Sequence, residues 1–282
     1  MKRIFVCLLV FVMLLSAITV PIVATESGSV LMSEGVSFNQ EMKYEMSVLL
    51  EDIPFVIEAW IYFPADFQGY GGVIVGNYGI IQPSYQLEIL AGGKPQLYYT
   101  NPTEEMYEKL KYNLVFENVN VYSGEWVHLA VAIDDSIATA ECYVNGELAE
   151  KIENIQMFDE DVLSVPFAVG GDHRGHNSSY FRGKMRSLAL YSEYRDRRKI
   201  KVDMLNVDTR DDALLAYYDF TEASDHVISD HKDGTYNLTE IDKWLNQDEV
   251  EAVEDYAYWL CIVGDTQIEA YYDPDKFHYI YD

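Results

Sequence analysis

Residues 126–148 constrain the fold more than any other stretch. They read W-V-H-L-A-V-A-I-D-D, a short break, then A-T-A-E-C-Y-V-N-G-E-L. Side chains on an extended strand alternate faces, so Val127, Leu129, Val131 and Ile133 share one side. Asp134-Asp135 ends that run. A second β-rich run follows and closes on Asn145-Gly146, a two-residue hairpin signal because both turn residues take positive φ. Two adjacent strands joined this way make the chain an antiparallel β protein.

The N-terminus is a separate matter. Lys2 and Arg3 precede an almost wholly apolar Ile4 to Ile18, followed by small residues, Pro21 and Ala24. This pattern predicts a secretory leader over 1–24, cleaved near Ala24, and hence an extracellular protein with no stable membrane insertion after cleavage. An uncleaved anchor is the alternative, and the apolar run is short for a spanning helix. A formal charge of -27 repels phosphate backbones and argues against nucleic acid as a partner. Beyond the leader only Cys142 and Cys261 remain, in different units, so no disulfide framework is expected. Stability must come from a large apolar core, and a hydrophobic content of 49% can supply one.

Strand signals recur with turns between them. Phe55 to Phe63 (F-V-I-E-A-W-I-Y-F) is apolar on both faces, as a central covered strand should be. Val73 to Val75 reads as a short strand. Tyr85 to Leu90 meets Gln96 to Thr100 across Gly92-Gly93, and Leu114 to Tyr122 is a further strand candidate. Met106 to Tyr112 reads as a helical turn or a loop. Phe167 to Val169, Phe181 to Tyr191 and Leu214 to Phe220 return to strand character. Ser192 to Leu205 is the one predicted helix, capped by Ser192 and carrying a basic run. The expected organisation is a flexible 25–34, a β domain over 35–241, an acidic linker over 242–254, and a separate segment over 255–282. Short strands with Gly-rich turns and one late helix predict an all-β, two-sheet antiparallel sandwich.

Five segments appear in a telling order: F-V-I-E-A-W-I (Phe55 to Ile61), E-W-V-H-L-A-V (Glu125 to Val131), Y-V-N-G-E-L (Tyr143 to Leu148), F-A-V-G-G-D (Phe167 to Asp172) and F-R-G-K-M-R-S-L-A-L-Y (Phe181 to Tyr191). Together they resemble the laminin-G-like domains of the concanavalin A-like jelly-roll superfamily. The resemblance covers roughly 35–241. It implies a jelly roll that binds a ligand, often a glycan or an extracellular protein, on its concave sheet or rim loops. Some members are inert spacers. Related sandwich glycosidases carry E-x-D-x-x-E, which sets two carboxylates about 5 Å apart for retaining chemistry. No such spacing occurs here, and F-D-E-D-V (Phe158 to Val162) lacks the second Glu.

Candidate sites follow from residue type. The loop G-G-D-H-R-G-H-N-S-S-Y (Gly170 to Tyr180) offers Asp172, His173, His176, Asn177 and Tyr180 for a sugar or a metal, against the plain alternative of an ordinary polar loop. Asn177-Ser178-Ser179 and Asn237-Leu238-Thr239 are glycosylation sequons in a eukaryotic host. Asp230 and Asp233, before Gly234, offer oxygen ligands for Ca²⁺, or else side chains that stabilise a turn. Trp60 and Trp126 match positions the family packs into its core. Tyr70, Tyr78, Tyr98, Tyr99 and Tyr180 are the freer aromatics, available as ligand platforms. His128, mid-strand, reads as structural.

The last segment, D-Y-A-Y-W-L-C-I-V-G-D-T-Q (Asp255 to Gln267), resembles the opening strand of calcineurin-like metallophosphoesterases, whose first motif is D-x-H. The resemblance implies that Asp265 bridges two divalent metals in a full-length parent, with Gln267 standing where the family has His. The other ligand motifs of that family do not occur in this chain, so no activity is expected of it as given. The expectation is an isolated strand, then the approach to a first helix over Tyr272 to Asp282.

Overall fold

A computed structural model describes residues 36–38, 43–78, 84–102, 109–158, 163, 165–172, 179–222, 227–241, 259–263 and 266–270. Two antiparallel sheets stack as the sequence predicts. The first holds β1 (Val36–Ser37), β3 (Val56–Tyr62), β8 (Trp126–Asp134), β9 (Thr139–Val144), β10 (Glu147–Glu153), β12 (Lys184–Tyr191) and β13 (Leu214–Asp219). Its order is β1-β12-β3-β8-β9-β10, with β13 also paired to β12. The second holds β2 (Lys43–Met46), β4 (Gly72–Gly76), β5 (Tyr85–Ile89), β6 (Pro95–Pro102), β7 (Lys109–Val115), β11 (Ala168–Val169), β14 (Val227–Ile228) and β15 (Leu238–Ile241). Its order is β14-β15-β2-β11-β4-β5-β6-β7.

Period-two alternation explains the core between the sheets. Ile57, Ala59 and Ile61 of β3 and Val127, Leu129, Val131 and Ile133 of β8 point inward with Leu87, Ile89, Leu97 and Tyr99 of the opposing sheet. Phe181 closes one end, edge-to-face with Phe38 at 5.8 Å and with Phe63 at 5.1 Å between centroids. The turn at Asn145-Gly146 takes φ of 51° and 73°, as its hairpin requires.

The outer face of the seven-stranded sheet carries a second apolar layer. Val56, Ala130, Ala132, Tyr143, Tyr191 and Leu214 meet Ile200 of the helix α1 (Arg197–Asp203). The helix begins later than Ser192, because Ser192 N–H is held by Ala213 O at 2.8 Å beside the β12–β13 pair. Asp196 caps it instead, its carboxylate accepting from the N–H groups of Arg198 and Lys199. Trp60 and Trp126 are not core residues. They fall in phase with His128 rather than Val127, so both are half-buried on the outer face. Trp60 Nε1 donates to Met204 O at 3.1 Å and so ties β3 to the end of α1.

Three further expectations change. The strand expected over 114–122 is β7, which ends at Val115; Val119 and Val121 pack into the core from the loop beyond it. Residues 109–112 belong to that strand and not to a helical turn, while 103–108 lie outside the described residues. The C-terminal strand is not isolated. β16 (Trp259–Val263) pairs antiparallel with β17 (Thr266–Ala270), Ile262 opposite Gln267. Gly-Asp between two β-rich runs is itself a hairpin signal, and pairing satisfies backbone groups that a lone strand leaves open. The leader over 1–24, the linker over 242–254 and the helix approach over 272–282 lie outside the described residues. Among the described residues, no helix is long and apolar enough to cross a membrane.

Candidate functional site

The outer face of the eight-stranded sheet differs from its inner face by one residue of phase. Tyr85, Leu87 and Ile89 face the core, so Gln86 and Glu88 face out; Leu97 and Tyr99 face in, so Gln96 and Tyr98 face out. Lys111 and Asn113 continue the outward set on β7. Register then brings these residues together. Gly76, Gln86, Tyr98 and Asn113 form one row across four strands, and Glu88 stands opposite Gln96.

These side chains, with Tyr70, Tyr78 and Arg182, line a cleft of about 550 Å³. Tyr78 and Tyr98 make one wall, their ring centroids 5.3 Å apart and tilted by 46°. Glu88 is fixed from both sides: Gln96 Nε2 donates to Oε1 at 2.7 Å, and the Tyr70 hydroxyl donates to Oε2. Arg182 is placed by its backbone N–H, which donates to Gly71 O at 2.8 Å. Gly76 lets β4 pair closely with β5, since a Cβ there would lie 2.2 Å from Gln86 Cβ.

Two polar atoms in this cleft are left wanting. Gln86 is 2% exposed, yet its Oε1 has no hydrogen-bond partner, and the buried Nε of Arg182 has none either. A buried donor or acceptor without a partner costs about 1–3 kcal/mol, so each is poised to gain from a ligand. The cleft therefore offers an acceptor, a cationic donor, a fixed carboxylate and a tilted aromatic wall.

The residues singled out from sequence are elsewhere. Asp172 is 1% exposed and accepts from Ser179 Oγ at 3.0 Å, while its carbonyl accepts from Lys43 Nζ at 2.9 Å. Tyr180 is buried beside it. Neither lines the cleft; Arg182, two residues on, does. His173, His176 and Asn177 lie outside the described residues. Of the five tyrosines singled out as platforms, Tyr70, Tyr78 and Tyr98 line the cleft, whereas Tyr99 sits in the core with its hydroxyl donating to Gln156 O. Asp230 Oδ1 accepts from the N–H groups of Tyr217 at 3.1 Å and Lys232 at 3.0 Å, and Asp233 Oδ1 from Thr235 N–H at 2.9 Å. Those oxygens build a turn. Among the described residues, no group of three or more His, Cys, Asp or Glu is arranged to hold a metal ion. Asp265 lies outside the described residues, and Gln267 sits within β17.

The other outer face is charged but closed. Arg195 donates to Asp203 at 2.6 Å and Asp211 at 2.8 Å, and its guanidinium lies 4.0 Å from the centre of the Tyr191 ring. Next to it, His128 Nε2 is 3.2 Å from Glu58 Oε2, without hydrogen-bond geometry. Burial pushes the Glu58 carboxyl well above the usual carboxylate range and pulls His128 down to about 4. The pair is therefore neutral, not an ion pair.

Comparison with known proteins agrees with the fold. No curated protein matches the chain. Among solved structures, a candidate carbohydrate binding protein from Bacteroides ovatus is 21% identical with a TM-score of 0.51, over 73% of this chain and 58% of that one. This chain thus spans little more than half of that protein's length. A heptameric pentraxin from Limulus polyphemus is 11% identical, TM-score 0.46, over 76% of this chain and 94% of that one. The sialyllactose-bound CBM40 of the Ruminococcus gnavus IT-sialidase is 15% identical, TM-score 0.41, over 61% and 94%. The profile of the concanavalin A-like lectin/glucanases superfamily, Laminin_G_3, matches residues 39–201, more than half of the chain. The stacked sheets and that match together make this chain a member of the laminin-G branch of the concanavalin A-like superfamily.

Proposed function

We propose that this domain binds a glycan in the cleft on the outer face of its eight-stranded sheet. The observation that carries the reading is the pairing of an aromatic wall, Tyr78 and Tyr98, with buried polar atoms that lack partners, Gln86 Oε1 and Arg182 Nε. Sugars present apolar ring faces and many hydroxyls at once, and this surface answers both. An inert spacer has no need of either. We further place the module in an extracellular protein, ahead of a metal-dependent phosphoesterase domain in the parent. That placement rests on the leader-like 1–24 and on Gly264-Asp265-Thr266-Gln267, both read from sequence. The test is a glycan array on the intact chain, with and without Ca²⁺, alongside Tyr78→Ala. Binding to a defined glycan class, lost in the variant at unchanged circular dichroism, supports the reading. Silence on every glycan in both conditions defeats it.

A further inference from the structure

We infer that the cleft takes an acidic oligosaccharide, one bearing anionic groups on more than one sugar, held between Arg182 and Lys111. This inference rests on the glycan-binding reading and narrows its ligand class.

Cations are scarce here, 20 Lys and Arg against 47 Asp and Glu. In such a chain the default is that a cation finds a carboxylate, and Lys43, Lys94, Lys151 and Arg195 each do. Arg182 and Lys111 do not: neither makes an ion pair among the described residues, and both line the cleft. The buried Arg182 Nε lacks any hydrogen-bond partner. A guanidinium in that state favours an acceptor-only, planar group, which a carboxylate or sulfate supplies with charge assistance.

The two cations occupy opposite ends. Arg182 is anchored to Gly71, at the start of β4, and Lys111 lies on β7 opposite Thr100. Three inter-strand steps of about 4.8 Å separate β4 from β7, roughly 14 Å in all. A single anionic group pairs with one of them, so two such groups are needed to meet both. Glu88 stands between them with its oxygens already accepting from Tyr70 and Gln96, and it disfavours an anion in the middle of the cleft. Gln86 Oε1, on the same strand in the neighbouring row, lacks a donor. The pattern read along the cleft is cation, carboxylate and amide acceptors, cation. It fits an oligosaccharide with anions at both ends and hydroxyls between.

Calorimetric titration of the intact chain tests this. The probes are tetragalacturonate, its full methyl ester, galacturonic acid, a heparin tetrasaccharide, and a neutral set of xylotetraose and cellotetraose. We expect tetragalacturonate or the heparin fragment to bind about tenfold or more tighter than the ester and the monomer, with Arg182→Gln and Lys111→Gln each losing about tenfold. Which of the two acids binds decides between carboxylate and sulfate. Lys111 is exposed, so its variant folds whatever becomes of Arg182→Gln. If the ester or a neutral oligosaccharide binds as well as the acids, or if both cation variants bind acid undiminished, the inference is overturned and glycan binding stands. If no probe and no arrayed glycan binds, both fall.

Discussion

The two outer faces of this sandwich start from the same alternation and end in opposite states. On the seven-stranded sheet the outward residues include Val56, Ala130, Ala132 and Tyr191, and α1 covers them. Charges that lie there are matched internally, Arg195 with Asp203 and Asp211. On the eight-stranded sheet the outward residues over β5 to β7 are Gln86, Glu88, Gln96, Tyr98, Lys111 and Asn113, and they line an open cleft. Polar atoms without partners occur on both: Glu58 Oε1 and Oε2, His128 Nδ1 and Tyr191 Oη on the first face, Gln86 Oε1 and Arg182 Nε at the second. Polarity alone therefore does not mark function in this fold. What marks the second face is that its polar side chains border an open cleft, while a helix packs over the first.

Four outcomes test that contrast. Arg195→Met strips the partner from the buried Asp203 carboxylate and should cost about 3–5 kcal/mol in chemical denaturation, with glycan affinity unchanged. A loss of affinity in the folded variant would mean the two faces are coupled. His128 gives a pH signature. Its folded pKa is depressed to about 4 from an ordinary 6.5, so its contribution is fully present above 6.5 and lost as pH falls toward 4, on the order of 3 kcal/mol. Glu58 acts in the other sense, because a raised carboxyl pKa favours the fold at low pH and is lost as pH climbs above 4.5. Denaturant midpoints of His128→Gln should thus fall less than wild type between pH 6.5 and 4; equal slopes would assign the effect elsewhere. Tyr78→Ala should weaken glycan binding about tenfold, near 1.4 kcal/mol, while the melting temperature barely moves. Asp196→Ala removes the α1 cap and should cost about 1 kcal/mol of stability and nothing in binding.

The fold was legible because apolar residues at period two leave little choice. The Trp126–Leu148 hairpin and the doubly covered β3 both follow from that rule. The phase of the same rule also corrects Trp60 and Trp126, which share a side with His128. Helix length was harder, since Ser192 and Asp196 are both good caps and only the β12–β13 pairing removes the first. The cleft was not legible. Gln86, Gln96 and Asn113 are ordinary outward residues of three different strands, and only register sets them side by side. Loop composition pointed to Gly170–Tyr180 instead, where Asp172 turns out to brace Ser179. Tyrosine choice was half readable: Tyr98 and Tyr99 are neighbours, and alternation must send one of them inward.

Among the described residues, no strand pairs beyond β7 at one side of the eight-stranded sheet, and none beyond β10 in the other sheet. An open border of this kind invites a second molecule to zip on by backbone pairing. Glu147, Glu150, Lys151 and Glu153 along β10, and Lys111 along β7, set charge in the way. Lys111 therefore sets a positive charge at that border, where a second copy of the same strand would bring another.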